Sequence, residues 1–468
     1  MGNGVTTRLA AALLLATQLA GCLLKPDFKR PEVVTESSTF RDGVSDLTSA
    51  ADIPWWELFK DANLTSLITT ALHENRNLAV AMARIDEARA ILGVVRPDQF
   101  PRLDLSAGAV RTAPSDASFA GVAPYNDFNL LGRLGYEVDL WGRYASATEA
   151  ARAELLASED AYKAVTLTLV AQVATAYLQL LDFDRQIAIA ERTLQNRHKN
   201  TVLIDERFKG GYTAKIDLNQ AQIQEQDAAA ALVAIKRIRR QTENALSVLI
   251  GHVPHAITRS SALTNPIALS NLPKGVPAML LERRPDVRAA EQAARAAVMR
   301  IGVARSTQFP SISLLGVIGL NSRDSSELFT SDGRTWSLGG NLLGPVIDLG
   351  KSWSRTDAAE AQARQALKSY EGTVLQAVRE VEDAMVAVKT YAEEHEIRKV
   401  QVEAAKSANM LSRRRYDDGV TSYLEVLSTE TSLFQADLAR SNTLQRYLSA
   451  LVELYKALGG GWQVREGR

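Results

Sequence analysis

Two stretches of the chain alternate apolar and polar residues with a period of two, and both recur about two hundred residues later. In the first, Leu103, Leu105, Ala107 and Ala109 alternate with Arg102, Asp104, Ser106 and Gly108. In the second, Phe128, Leu130, Leu134, Tyr136 and Val138 alternate with Asn129, Arg133, Glu137 and Asp139. Further on, Ile312, Leu314 and Ile318 mark one matching segment and Trp336, Leu338 and Leu342 another. Alternation over about ten residues predicts strands with one apolar and one polar face. It fits a soluble hairpin, and it equally fits a transmembrane strand with apolar side chains toward lipid and polar ones toward a lumen.

The pattern then changes to a helical period. Leu155, Tyr162, Val165, Leu169, Val173, Ala176 and Leu180 form one seam; Leu367, Tyr370, Val374, Val378, Val381, Met385 and Val388 form another. Helix breakers are missing where a long helix would need them to be. No Pro occurs from Tyr125 to Val253 or after Pro345, and no Gly between Gly142 and Gly210. About 65 residues of helix make a rod of about 100 Å. Each rod runs into a Gly-bearing turn, FKGGYTAKIDL in one case and YDDGVTSYLEVL in the other. Gly supplies the left-handed C-cap and Thr or Ser caps the next helix. Return helices follow over about 213–250 and 421–458, and shorter helices, 64–96 and 277–307, precede the strands.

These patterns repeat in one order. Aligning Phe100-Pro101 with Phe309-Pro310 matches Gly93 to Gly302, Arg96 to Arg305 and Gln99 to Gln308. The same offset of 209 matches Val138-Asp139-Leu140 to Ile347-Asp348-Leu349. One residue is then lost, and an offset of 208 matches Arg207 to Arg415, Gly211 to Gly419 and Gly251 to Gly459. The expected organisation is a signal peptide 1–21, an N-terminal arm 22–61, a first repeat 62–251, a linker 252–276, a second repeat 277–459 and a tail 460–468.

Composition narrows the partners. The 54 basic and 54 acidic residues of the 468-residue chain cancel, which argues against a nucleic-acid surface. The single cysteine, Cys22, excludes an internal disulfide and a Cys-based metal site. It follows one Arg, the apolar run LAAALLLA and Leu19-Ala20-Gly21. That order reads as a secretory signal, too short to span a bilayer. Leu-Ala-Gly-Cys resembles the bacterial lipobox, which implies an acylated Cys22; Leu23 after it, in place of Asp, implies outer-membrane sorting. The alternative is a plain signal followed by a free thiol.

Four strands cannot close a barrel, and an open sheet edge in lipid leaves backbone groups unsatisfied at several kcal/mol each. If the strands are in a membrane, several chains share one barrel. The motifs WWELFKDANLTSLITTALHENRNL (55–78), YEVDLWGR (136–143), LLERRPDVRAAE (280–291) and YKALGGGW (455–462), with the two Phe-Pro corners, resemble the outer-membrane factors. These are the TolC-like channels of tripartite efflux pumps, and the OprM-like lipoprotein branch is the most similar. The resemblance spans Cys22 to Trp462. It implies a mixed α and β fold with four transmembrane strands and long antiparallel coiled-coil helices per chain. It implies a homotrimer with a 12-stranded β-barrel and a 12-helix periplasmic α-barrel. Its implied partners are a periplasmic adaptor (membrane fusion protein), an inner-membrane transporter of the resistance-nodulation-division type and outer-membrane lipid.

The resemblance also places candidate residues. Matching within YLEVLS assigns Glu425 to a carboxylate ring at the narrow periplasmic entrance and Leu424 to its apolar constriction; Asp217 is the first-half counterpart of Glu425. Ser428 departs from a second Asp carried by many members, and Thr421 stands where some place an Arg, so that salt bridge is expected to be absent. Tyr416 matches a tyrosine that in relatives bonds the other half's Asp. Ser422 and Glu425 also have the spacing of a helix capping box. The tips around Gly210, Gly211, Thr213, Gly419 and Thr421 are the candidate adaptor contacts, where Arg413-Arg414-Arg415 and Asp417-Asp418 serve docking or stand as a solvated surface.

Other signals carry less. Leu349-Gly350-Lys351-Ser352 lacks the glycine spacing of a phosphate loop and reads as a strand-to-helix turn. His252 and His255 have metal-like spacing, with no carboxylate near in sequence. No Gly-x-Ser-x-Gly elbow occurs. The expectation is a non-enzyme without metal or cofactor. An efflux channel leads; a protein-secretion channel and a non-conducting coiled-coil surface lipoprotein are the alternatives.

Overall fold

The structure, a computed structural model, describes residues 26–33, 61–115, 117, 121–260 and 283–460. The signal peptide, Cys22, most of the arm, most of the 252–276 linker and residues 461–468 lie outside the described residues.

Helix α1, Ala62–Glu74, starts where the Asp61 carboxylate accepts from the amides of Asn63 and Leu64. The continuous helix expected over 64–96 is broken at Asn75, which has an extended ψ of 127°. The cause is local. The Asn75 side chain accepts from Leu78 N at 2.9 Å and donates to Leu249 O at 2.8 Å, so it caps a new helix while tied to another. That new helix, α2, is Arg76–Val95, and a short 3-10 turn leads to Phe100-Pro101. The second-half equivalent, α5 (Pro285–Ser306), starts with a proline, whose missing N–H costs nothing in the first turn. Residues 277–282 of the expected 277–307 stretch lie outside the described residues.

The strands follow the alternation. β1 (Arg102–Thr112), β2 (Tyr125–Val138), β3 (Ser311–Ser322) and β4 (Arg334–Leu343) form one antiparallel sheet in the order β1-β2-β3-β4. Leu103 lies opposite Leu134, Leu130 opposite Leu320 and Ile318 opposite Trp336, so one face is apolar across all four strands. That face is bare: Leu105, Trp336 and Leu338 are each 78% exposed. Among the described residues, β1 and β4 each have one unpaired edge.

The helices repeat in equal lengths. α3 (Arg143–Lys209) and α6 (Lys351–Asp417) have 67 residues each; α4 (Lys215–Leu249) and α7 (Tyr423–Ala457) have 35 each. Both long helices begin on an aspartate. Asp139 accepts from Tyr144 N and Ala145 N, and Asp348 accepts from Gly350 N and Ser352 N, which makes the LGKS segment a capped strand-to-helix turn. Carboxylates at a helix N-terminus meet unsatisfied amides and the positive end of the dipole. One stretch of α3 is long and apolar enough to cross a membrane, but most of it is buried within the chain.

The described residues fall into two compact units. The unit holding the sheet has a small core of Ala150, Val298, Met299, Ile301, Ala359 and Ala363, with Phe28 of the N-terminal arm packed on it. Arg30 fixes that arm by a bidentate pair with Glu291. The other unit buries Leu169, Val173, Leu180, Val381, Val388, Leu448 and Leu454 along helical seams. Within it Arg284 joins Asp286 and Glu380, and Arg259 joins Asp184 and Glu243.

Candidate functional site: the paired helix tips

The candidate gate residues sit at two equivalent turns, α3 to α4 and α6 to α7. Each turn closes through backbone bonds that cross its glycine. Gly211 N donates to Phe208 O and Tyr212 N to Arg207 O; Gly419 N donates to Tyr416 O and Val420 N to Arg415 O. Gly211 and Gly419 have φ of 76° and 71°, the left-handed C-cap conformation that favours glycine. Gly210 is adjacent, and a Cβ there would lie 2.8 Å from the Tyr212 ring.

Each return helix then holds its carboxylate by a threonine. Thr213 Oγ1 donates to Asp217 Oδ2 at 2.6 Å, and Thr421 Oγ1 donates to Glu425 Oε2. The capping box expected from Ser422 is not formed: Ser422 is the N-cap residue, but its side chain makes no capping bond. The hydroxyl of the preceding residue takes the glutamate instead. Nor is Glu425 without an arginine. Arg415 Nη1 lies 3.7 Å from Glu425 Oε1, so the end of α6 supplies the cation that position 421 lacks.

Tyr416 is differently placed from the expectation. Its ring lies 5.4 Å from that of Tyr423 and 5.1 Å from the Arg207 guanidinium, while Arg207 also reaches Asp417 at 3.8 Å. Asp217 is bonded by Thr213 rather than by this tyrosine. Tyr416 and Phe208 pack on a cluster of Ile204, Leu218, Ala221, Tyr423, Val426 and Leu427 that joins both turns. A cation over an aromatic face beside a carboxylate is an attractive, salt-sensitive link. Leu424 is 60% exposed and borders a groove of about 390 Å³ between α4 and α7, with Ile223, Gln224 and Thr431 on its walls.

A polar layer next to the turns escaped the sequence reading. Arg197 is buried; it donates to Gln224 O at 2.7 Å and to Thr431 Oγ1 at 3.3 Å, and burial pulls its pKa down. Glu430, 8% exposed, accepts from Asn200 at 2.8 Å and from Arg413. Burial, helped by the Glu430 charge, pushes the Tyr423 hydroxyl well above the usual phenol range. Arg413 is thus inside this network, not a free docking charge. The signal was present as polar residues on an otherwise apolar seam, but charged positions on long helices are mostly solvated, which masks it.

His252 Nε2 lies 3.0 Å from a Glu74 carboxylate oxygen, so a carboxylate does stand near the histidine pair, brought there by folding rather than by sequence. No group of three or more His, Cys, Asp or Glu that could hold a metal exists among the described residues.

The family model described as Outer membrane efflux protein matches residues 67–252 and again 276–460. The chain belongs to the outer membrane efflux protein family. Among its relatives, the outer membrane protein OprJ of Pseudomonas aeruginosa is 35% identical over 464 residues, 98% of this chain and 96% of that one. The solvent efflux pump outer membrane protein SrpC of Pseudomonas putida is 34% identical, covering 96% and 97%. The open state of the MtrE outer membrane channel of Neisseria gonorrhoeae superposes with a TM-score of 0.85 at 28% identity, covering 96% and 100%. Family membership places the chain in the outer membrane in an efflux role.

Proposed function

We propose that the chain is the passive exit duct of a tripartite efflux pump, assembled as a homotrimer. The sheet carries this reading: four strands with two free edges and a bare apolar face are unstable alone in either water or lipid. Three copies give twelve strands and one closed wall. The repeats, 62–251 and 277–459, then act as two similar sectors per copy, and the long helices line a periplasmic tunnel. Cys22 is the lipid attachment point.

At the tips, Glu425 and Asp217 form the carboxylate ring, Leu424 the apolar constriction, and Tyr416 with Arg207 the link between the two turns. Gly210, Gly211, Thr213, Gly419 and Thr421 shape the surface that a periplasmic adaptor meets. An inner-membrane transporter of the resistance-nodulation-division type delivers the cargo. SrpC is named for solvents, and small apolar toxic compounds are the substrate class proposed here. The duct itself needs no covalent chemistry.

The test is the mass of detergent-extracted protein from outer membranes. A trimer of chains beginning at an acylated Cys22 supports the reading. A lipid-free, water-soluble monomer removes it.

A further inference from the structure

An open cavity of about 740 Å³ is lined by α3, α4, α6 and α7, all within one compact unit. The sequence of α7 prepares one wall. Leu444, Leu448, Leu451 and Leu454 are buried, while Asn442, Arg446, Ser449 and Glu453, at the same three- and four-residue spacings, form a polar stripe on the cavity. Ile238 of α4 and Ala387 of α6 reach the same space, so the four helices curve around it. Tyr177 lies two positions from both Thr175 and Gln179 of the lining, about 200° around α3. On that far face its hydroxyl donates to Asp61 at 2.7 Å and accepts from Ser260 N at 3.1 Å. The segment after α4 therefore crosses the convex side, and the cavity occupies the concave one.

The charges on the lining are partnered with one exception. Glu380 pairs with Arg284 at 2.8 Å, Glu453 with Lys456 at 3.0 Å and Asp383 with Arg379 at 3.7 Å. Asp182 accepts from Ser441 and Gln186. Arg446 is exposed and lines the cavity, and it has neither a hydrogen bond nor an ion pair among the described residues. A cation left unmatched in a concave site attracts an anion, because low-dielectric walls focus its field. The guanidinium fork matches the paired oxygens of a carboxylate or sulfonate. Beside it, Phe183, Tyr391, Ile238 and Ala387 supply aromatic and apolar surface that an inorganic ion would leave unused.

We propose that this cavity is a binding site for amphiphilic organic anions, in which Arg446 pairs with the carboxylate or sulfonate and Phe183 and Tyr391 hold the apolar body. This rests on the duct proposed above, where the concave face of the helices is the lumen wall and each copy carries one site, and it adds a charge to the substrate class. The volume suits one drug-sized molecule. The open side suits a duct, whose sites must bind weakly enough to release what they take.

Titration calorimetry on the full-length protein in detergent tests it, with naphthoate as the probe and protein-free detergent as the blank. Naphthoate should bind once per chain. Naphthylmethylammonium, the same ring with the opposite charge, should bind about tenfold more weakly or less. Arg446→Gln should weaken naphthoate by about tenfold or more, and Arg446→Glu should reverse the preference between the two probes. Arg446 holds no other group, so both variants should keep the native mass and unfolding temperature of the parent. Equal binding of the two probes, or naphthoate binding unchanged by Arg446→Gln, overturns the site. Native mass and bilayer current separate the site from the duct. A trimer whose current falls on adding naphthoate, in the parent and not in Arg446→Gln, supports a site on the lumen. A trimer that binds naphthoate through Arg446 with unchanged current overturns the lumenal position. A monomer that binds naphthoate through Arg446 overturns the duct and leaves the site standing.

Discussion

Replacing Glu430 by Ala asks whether the buried polar layer beside the tips holds the two turns together. The carboxylate is 8% exposed and bonds Asn200 on α3 and Arg413 on α6, so its loss leaves partners from two helices unsatisfied. Breaking a fully buried pair costs about 3–5 kcal/mol, and an exposed one about 0–1 kcal/mol. The Arg413 side chain is 38% exposed, so the cost falls between, at about 2 kcal/mol per chain. Unfolding entropy of about 2.1 cal/mol/K per residue gives about 1 kcal/mol/K for a chain of this length. The expected fall in unfolding temperature is therefore about 2 °C. The same change at Glu396, whose pair with Lys399 is largely exposed, should move it by less than about 0.5 °C. Differential scanning calorimetry in detergent reads both, and bilayer recordings should show more frequent open events for Glu430→Ala alone. Equal thermal shifts in the two variants, with unchanged gating, would refute the reasoning.

Further expectations follow from the same geometry. Gly211→Ala and Gly419→Ala meet open space, so each should cost only the backbone strain of a left-handed alanine, about 1 kcal/mol or about 1 °C by calorimetry. Burial raises the Asp182 carboxyl against the bonds from Ser441 and Gln186. Its folded pKa exceeds the unfolded one, so its stabilising form is the protonated one, present in acid and lost as pH rises through the folded value. Asp182→Asn should thus unfold no lower than the parent at pH 7, with any advantage shrinking toward pH 4. Asp286 behaves oppositely: burial is outweighed by Arg284, which lowers its pKa, so its contribution is present above the unfolded value and fades on acidification. Glu425→Ala removes a charge near the entrance and should reduce cation selectivity in reversal-potential measurements; an unchanged value would take Glu425 out of the gate.

Helix positions were legible because their period is imposed by burial that repeats along the seams, and strand positions because one face of the sheet is apolar along every strand. The duplication gave each weak signal a second reading, and the glycines at 211 and 419 marked turns that no other residue fits as well. What stayed hidden depends on side chains from distant segments. Asn75 reads as an ordinary helix residue until Leu249 is beside it. Ser422 has the better capping position, yet Thr421 reaches Glu425, because hydroxyl direction is set by the turn and not by spacing. Arg415 and Arg207 look alike in sequence, but one meets Glu425 and the other spans Tyr416 and Asp417. The two turns share a backbone and differ in their ionic contacts.

The most direct test of the central claim is ion conductance of the purified protein in a planar bilayer. A closed duct predicts discrete, stepwise, cation-preferring conductance from a membrane-inserted trimer, altered by Glu425→Ala. A trimer that inserts and passes no current above background, in parent and variant alike, would contradict it.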